Sequence, residues 1–271
     1  MKTILITGAT DGIGRETARQ LLDQGHRLLI HGRNLEKAQR TVHDLGAAGK
    51  PVGPSAEAVY GDLSDMGQVL DLAEQVKRKT AVLDVLIHNA GVFANEWQLT
   101  VDGLEFTMAV NHFASFLLTH ALLSHVQASP QGRFVTVSSI AHEGGRIDLQ
   151  DLNLSRNFNG YRAYANSKLA NVLFTVALSQ RLMDGNTTAN CLHPGVISTK
   201  LLHSGFGITG ASVGEGARTS VFLATAPEVG QVSGRYFIDC ETVKPSSIAQ
   251  DRRLAEEFWL ATEAALQPFL S

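Results

Sequence analysis

Thr3-Ile4-Leu5-Ile6-Thr7-Gly8-Ala9-Thr10-Asp11-Gly12-Ile13-Gly14 is the stretch from which the fold can be read. Residues 3–7 are apolar and β-branched, as in a short strand buried on both faces. Arg15-Glu16-Thr17-Ala18-Arg19-Gln20-Leu21-Leu22-Asp23 follows with helical spacing and stops at Gly25. Strand, glycine turn and helix in that order make a phosphate-binding loop. Gly8 permits the tight turn, Gly12 lets a pyrophosphate approach the backbone, and Gly14 lets helix and strand pack closely. The helix N-terminus offers free N–H groups and a positive dipole end to an anion. Thr10, Asp11 and Ile13 complete the expected dinucleotide contacts of the turn.

The next strand, Arg27-Leu28-Leu29-Ile30-His31, runs into Gly32-Arg33-Asn34. A fold that selects NAD carries Asp or Glu at this strand end, for the ribose 2′-hydroxyl; an arginine nearby accommodates a 2′-phosphate. No acid stands here and Arg33 does. NADP(H) is therefore favoured over NAD(H), with Arg33 and Asn34 as contacts.

The alternation continues along the chain. A helix is expected over Leu35–Leu45, a loop from Gly46 to Ser55, and a strand Ala56–Tyr60 ending in Gly61-Asp62-Leu63. Helix Met66–Lys79 takes Ser64 as N-cap. Strand Val82–Ile87 leads into His88-Asn89-Ala90-Gly91, small residues against which a flat ring can lie. Phe106–Leu123 reads as one apolar helix with Asn111 inside it, where asparagine is mildly unfavourable. Strand Arg133–Val137 carries Ser138 and Ser139 at its carboxyl end, where ligands bind in open parallel sheets. Strand Thr187–His193, helix Val213–Thr225, strand Arg235–Ile238 and helix Ala249–Leu266 complete the pattern. The βαβα order predicts one doubly wound α/β domain over residues 1–271, a Rossmann fold with a parallel sheet of about seven strands and helices on both faces. The cofactor half is about 1–140, and the catalytic and substrate half about 141–271.

Hydrophobic residues make 44% of the chain and charged residues 18%, which suits a globular protein and excludes a disordered one. The net charge of -3, with no basic cluster, gives no footprint for nucleic acid. Cys191 and Cys240 are too few for a disulfide framework or a zinc site, and both read as buried thiols of a reducing compartment. No metal is expected. No apolar run is read as the ~20 residues of a membrane span. The expectation is a cytoplasmic protein without a membrane anchor, with room for a homo-oligomer.

Tyr164-Ala165-Asn166-Ser167-Lys168 opens an unbroken apolar helix. Positions i and i+4 share a face, so the Tyr164 hydroxyl and the Lys168 ammonium can reach one small volume. A free phenol titrates near ~10; a fixed cation that lowered this by about three units would supply roughly 4 kcal/mol and give a proton donor for carbonyl chemistry.

With these motifs in order, the chain resembles the short-chain dehydrogenase/reductase family from end to end. Thr7-Gly8-Ala9-Thr10-Asp11-Gly12-Ile13-Gly14 is similar to the family's TGxxxGxG loop, and Asn89-Ala90-Gly91 to its NAG motif. Within the family the retinol-dehydrogenase-like branch is the best likeness. It rests on Gly32-Arg33-Asn34, Ser138-Ser139-Ile140-Ala141-His142, Ser167 to Thr175, His193-Pro194-Gly195-Val196, Gly234-Arg235-Tyr236-Phe237 and Lys244-Pro245. The resemblance implies that Asn111, Ser139, Tyr164 and Lys168 are a catalytic tetrad. It places Asp62 and Leu63 near the adenine, and gives Pro194, Gly195, Val196 and Thr199 to the nicotinamide. The implied activity is an NADP(H)-dependent oxidoreductase interconverting an apolar aldehyde or ketone and its alcohol. Tyr164 would pass the proton, Ser139 would help hold the carbonyl oxygen, and Asn111 would order a water beside Lys168.

His142 and Glu143 could meet substrate just past Ser139. Phe93, Trp97, Tyr161 and Phe206 lie in loops that could wall an apolar pocket. Ser198–Ser212 holds Gly205, Gly207 and Gly210 among Leu201, Leu202, Phe206 and Ile208, the composition of a mobile apolar lid. An inactive NADP(H)-sensing or scaffold protein on the same fold is the rival reading. Retention of Asn111, Ser139, Tyr164 and Lys168 weighs against it.

Overall fold

Strands β1 (Thr3–Ile6), β2 (Arg27–Gly32), β3 (Ala56–Tyr60), β4 (Val85–His88), β5 (Arg133–Val137), β6 (Thr188–His193), β7 (Tyr236–Ile238) and β8 (Glu241–Val243) form one sheet in the order β3-β2-β1-β4-β5-β6-β7-β8. The computed structural model describes residues 1–47, 56–183, 185–206 and 209–270. All neighbours run parallel except β7 and β8. The sheet of about seven strands is present, with β8 as an eighth at its edge. That strand forms because Asp239 and Cys240 both adopt positive φ, 51° and 67°, the two left-handed positions of a tight hairpin turn. Asp-Cys is not a pair that advertises such a turn.

The strands are apolar on both sides because both faces are covered. Ile4 and Ile6 of β1 join one core cluster with Leu28, Ile30, Val85, Ile87, Val135 and Val137, while Leu5 points into the other with Leu29, Leu86 and Phe134. This is the period-two alternation of a strand. Helices α1 (Gly12–Asp23), α2 (Leu35–Ala47) and α8 (Val213–Thr225) contribute to the first cluster's side. Helices α3 (Met66–Lys79), α5 (Ala114–Gln127), α6 (Gly160–Arg181) and α9 (Arg252–Leu266) cover the second.

Several boundaries differ from expectation. Asp65, not Ser64, caps α3, its carboxylate accepting the Gln68 N–H; Ser64 instead donates to Asp62. The helix expected over Phe106–Leu123 is broken into α4 (Phe106–Met108), a π turn at Ala109–Phe113, and α5, with Asn111 inside the π turn. By length and composition Phe106–Gln127 could cross a membrane, which the sequence pattern does not lead one to expect; its most apolar 18-residue stretch is 78% buried within the protein, as a core helix is. Ser198–Ser212 is not a bare loop: α7 (Lys200–Phe206) forms within it. Cys191 is buried but Cys240, at the hairpin tip, is half-buried. Most of the loop expected from Gly46 to Ser55 lies outside the described residues, as do Gly207 and Ile208.

The strand order reverses between β1 and β4, so the loops leaving their carboxyl ends diverge to opposite sides and leave a crevice. That crevice positions the site.

Candidate active site

A cleft of about 960 Å³ runs along the carboxyl ends of the strands. One wall is built from the glycine turn. Gly8 and Gly12 take φ of 64° and 52°, open to glycine at little strain. A Cβ on Gly14 would stand 2.3 Å from Asn89 Nδ2 and 2.4 Å from the Gly8 oxygen, so α1 can lie against the two loops only with glycine there. Asn89 ties the turn from behind, its amide donating to the carbonyls of Thr7 (2.9 Å) and Gly8 (3.2 Å). Thr7 Oγ1 in turn accepts from the N–H groups of Asn89 and Ala90. The result is a bare backbone wall of Gly8, Gly12, Gly14, Ala90 and Gly91, with Thr10, Asp11 and Ile13 at its rim.

His31 lines the cleft, although the sequence gives it only as the last residue of a strand. It is buried at the end of β2 and faces the cleft. Gly8 N–H donates to its Nδ1 (3.0 Å), and Nε2 lies 2.9 Å from the Gly61 oxygen. These partners require a neutral ring with the proton on Nε2, which agrees with burial lowering it to about 4. Its place at a strand's carboxyl end was the available signal. At the same end of the cleft lie Arg33, Asp62 and Leu63, the arginine exposed and without a hydrogen-bond or ion-pair partner among the described residues.

At the other end Ser138, Ser139, Tyr164 and Lys168 converge from β5's end and α6. Tyr164 is 7% exposed and Lys168 3%. The Ser139 and Tyr164 hydroxyls are hydrogen-bonded, while Ser139 Oγ accepts the Ala141 N–H at 3.2 Å. Ser138 Oγ donates to the Lys168 carbonyl at 2.7 Å and anchors α6 to the strand. Lys168 Nζ donates to the Val137 oxygen (3.2 Å) and lies 5.5 Å from the Tyr164 ring centre. Burial pushes the Tyr164 phenol up to about 12, against the pull of Ser139's hydrogen bond, and pushes Lys168 down to about 8. Burial raises the phenol where Lys168 was expected to lower it, and the ammonium faces the ring and the Val137 carbonyl.

A wall of bare glycines, a helix N-terminus and a buried Ser–Tyr–Lys group in one crevice is a dinucleotide oxidoreductase arrangement, and comparison with known proteins agrees. The family model for short chain dehydrogenase matches residues 2–206. The chain belongs to the short-chain dehydrogenase/reductase family. It is an NAD(P)-dependent oxidoreductase acting on an alcohol or carbonyl group, of the retinol-dehydrogenase-like branch. It is 38% identical to retinol dehydrogenase 14 of Mus musculus, across 97% of this chain and 85% of that protein. It is 37% identical to retinol dehydrogenase 13 of Homo sapiens, across 95% and 82%. A crystal structure of an uncharacterized protein from Mycobacterium Paratuberculosis superposes with a TM-score of 0.82 at 32% identity, covering 98% of this chain and 94% of that one.

Other family positions fall as follows. Asn111 stands outside the cleft wall and is fully buried, donating to the Val92 oxygen (3.0 Å) and Ser167 Oγ (2.9 Å) and accepting the Val92 N–H (2.7 Å). It joins the loop after β4 to α6 just behind Lys168. Pro194, Gly195, Val196 and Thr199 line the cleft, Gly195 with φ 96°. Thr199 Cγ2 would be 3.4 Å from a Cβ on Gly12, so the loop after β6 closes over the glycine turn. Lys200 on α7 and Asp11 complete that closure with an exposed ion pair of 2.5 Å, which holds the Asp11 carboxylate below its usual range.

Several expected contacts are elsewhere. Asn34 is outside the cleft, its Oδ1 accepting the Lys37 N–H to begin α2. His142 is fully buried behind Ser139 rather than open to substrate. Trp97 is exposed and donates to the Asn153 oxygen. Phe93 packs on the Tyr164 ring, centroids 5.7 Å apart. Tyr161 and Glu143 do line the cleft, with Ile140, His193 and Ile197, which the sequence reading did not name as site residues. The Phe206 side chain lies outside the described residues.

Proposed function

We propose that the protein interconverts an apolar aldehyde or ketone and its alcohol with NADP(H), Tyr164 serving as the general acid and base. The observation that carries this reading is the buried Ser139–Tyr164 hydroxyl pair beside Lys168 at the closed end of the cleft. The residues fit a nicotinamide dinucleotide: side chains are absent where its phosphates and ring need backbone, at Gly12, Gly14 and Gly91. Gly8, Thr10, Asp11, Ile13, Arg33, Asp62, Leu63, Asn89, Ala90, Pro194, Gly195, Val196 and Thr199 would hold it, with Tyr164 and Lys168. When bound, the cofactor supplies or accepts the hydride; the protein supplies geometry and electrostatics. Ser139 and Tyr164 donate hydrogen bonds to the substrate oxygen as charge develops there. Tyr164 then passes its proton to that oxygen, or takes it in the reverse direction. Lys168 offsets the negative charge left on the phenol, and Asn111 holds the segment that seats Lys168.

Arg33 at the end of β2, unpaired among the described residues and with no acid at that strand end, supports a 2′-phosphate and hence NADP(H). A related structure described as an NAD(P) dependent gluconate 5-dehydrogenase from Beutenbergia cavernae holds NADP at low occupancy; it is 25% identical with a TM-score of 0.71, covering 88% of this chain and 94% of that one. Ile140, Tyr161, Val196, Leu201 and Leu202 at the cleft's mouth support an apolar substrate. Helix α7 acts as its lid, and a cytoplasmic setting, suggested by two free thiols, belongs to the same proposal.

The test is a homologous series of straight-chain aldehydes with NADPH and with NADH. The reading expects kcat/KM to rise with chain length, by about 1–3 kcal/mol of transition-state binding per well-placed methylene at most. It also expects NADPH to be preferred. A flat series, preference for anionic substrates, or better turnover with NADH each removes its part of the reading.

A further inference from the structure

His142 touches no part of the cleft, yet it grips the serine that does. It stands on the 3-10 turn Ile140–Gly144 that Ser139 caps, and no part of it is exposed. Its Nδ1 lies 2.8 Å from the Ser139 carbonyl oxygen, and its Nε2 lies 3.1 Å from the backbone N of Ser246. A carbonyl oxygen only accepts and a backbone N–H only donates. The ring is therefore neutral, with its proton on Nδ1 and its lone pair on Nε2. Burial lowers its affinity for a second proton and keeps it so. The Ser139 oxygen also accepts the backbone N–H of His142 at 3.1 Å, so one residue holds that carbonyl twice. The ring's flank packs on Tyr236 of β7, centroids 4.9 Å apart.

Short 3-10 turns have poor hydrogen-bond geometry and little stiffness of their own. Ser139 is extended, at φ -165° and ψ 159°, and its side chain is held by the Ala141 N–H and the Tyr164 hydroxyl. The second bond to the Ser139 carbonyl comes from an imidazole that is itself anchored at Ser246, 104 residues away in sequence.

We propose that His142 is a positioning residue. Through the Ser139 carbonyl it holds the serine hydroxyl in register with Tyr164, and through Ser246 it makes that register depend on the segment following β8. The inference rests on the proposed reading, in which Ser139 and Tyr164 act together on a carbonyl oxygen. A misplacement of about 1 Å at such a pair lowers turnover by up to ~10²-fold.

The experiment compares His142→Phe, His142→Asn and His142→Gln, assayed for kcat and KM with the best aldehyde and NADPH. NADPH affinity is measured by fluorescence titration and folding by thermal melting. Phenylalanine keeps the ring's packing and loses both hydrogen bonds, asparagine returns a donor near Nδ1, and glutamine reaches only toward Nε2. The expected result is a kcat about 10- to 100-fold lower for His142→Phe with NADPH affinity nearly unchanged, and substantial recovery in His142→Asn but not in His142→Gln. A folded His142→Phe with kcat within about threefold of wild type would make His142 ordinary core packing and overturn the inference. Should His142→Phe not fold, the amide pair decides: glutamine equal to or better than asparagine in kcat overturns it. A wild type inactive on every carbonyl fails at an earlier point, since it removes the proposed function and this inference with it.

Discussion

Tyr164 is buried so that its phenol holds its proton tightly. With the phenol pushed up to about 12 and Lys168 pushed down to about 8, neutral solution leaves a protonated tyrosine beside a mostly charged lysine. The proposed carbonyl reduction uses the pair in that state. Tyr164→Phe removes the proton donor and little packing, so kcat should fall by about 10²–10⁴-fold with NADPH binding retained; a variant keeping a tenth of wild-type rate would exclude the role. The lysine sets a pH limit. Its charged form exists below its pKa, so kcat/KM for reduction should decline as pH rises through about 8, measured in a buffer series of constant ionic strength. An unchanged rate at pH 10 would mean that the charge on Lys168 is not used. Arg33 is a simpler case. If it reads a 2′-phosphate, as proposed, that bond is worth roughly 1.5–3 kcal/mol, so Arg33→Ala should weaken NADPH by about 10- to 100-fold and leave NADH nearly unaltered. Equal losses for both would show that Arg33 does not read the phosphate.

At the scale of elements, the site depends on how closely helices approach strands. Helix α1 touches the turn after β4 through Gly14, where a Cβ would be within 2.4 Å of both Asn89 Nδ2 and the Gly8 oxygen. Neither atom can retreat easily, because Asn89 is bonded to Thr7 and Gly8. Gly14→Ala should therefore cost about 1–3 kcal/mol of stability, as overpacking does, and lower the melting temperature by several degrees. It should also lower NADPH affinity, since the wall that moves is the one proposed to hold the cofactor. A normal melt with normal affinity would mean that α1 shifts freely. The π turn at Ala109–Phe113 is the second such element. It sets Asn111 between the Val92 backbone and Ser167, and so joins the loop after β4 to the helix that carries Tyr164 and Lys168.

The whole molecule carries an acid sensitivity built from buried histidines. Among the described residues, burial lowers His31 and His193 to about 4 and His88 and His112 to about 3. Below the ordinary imidazole value of ~6.5 the unfolded chain takes up protons that the folded chain refuses. Their contribution to stability is thus complete above pH 6.5 and is lost as pH falls toward 4 and then 3. At pH 5 each costs about 2 kcal/mol by linkage, and four together approach the ~5–15 kcal/mol that holds a typical domain. The protein should unfold on acidification with a midpoint near pH 5, followed by circular dichroism. A chain with an unchanged melting temperature at pH 4 would show that these histidines take up protons without unfolding it.

The sequence by itself determined the order of the first seven strands and of most helices, the glycine turn, and the meeting of Tyr164 with Lys168, because each rests on a local rule: a period of two, a period of 3.6, or a strand's carboxyl end. It placed Ser139 and Arg33 at the cleft by the same rule. The tertiary structure alone decided what surrounds them. Whether Tyr164 gains or loses a proton more easily depends on the burial that excludes water from it. His142 reads as a loop residue until Ser246 arrives at its Nε2, Asn34 as a cofactor contact until α2 takes its oxygen, and His31 as one more strand residue until Gly8 and Gly61 close on it. Burial and hydrogen-bond partners join residues far apart in sequence, and no window along the chain contains both.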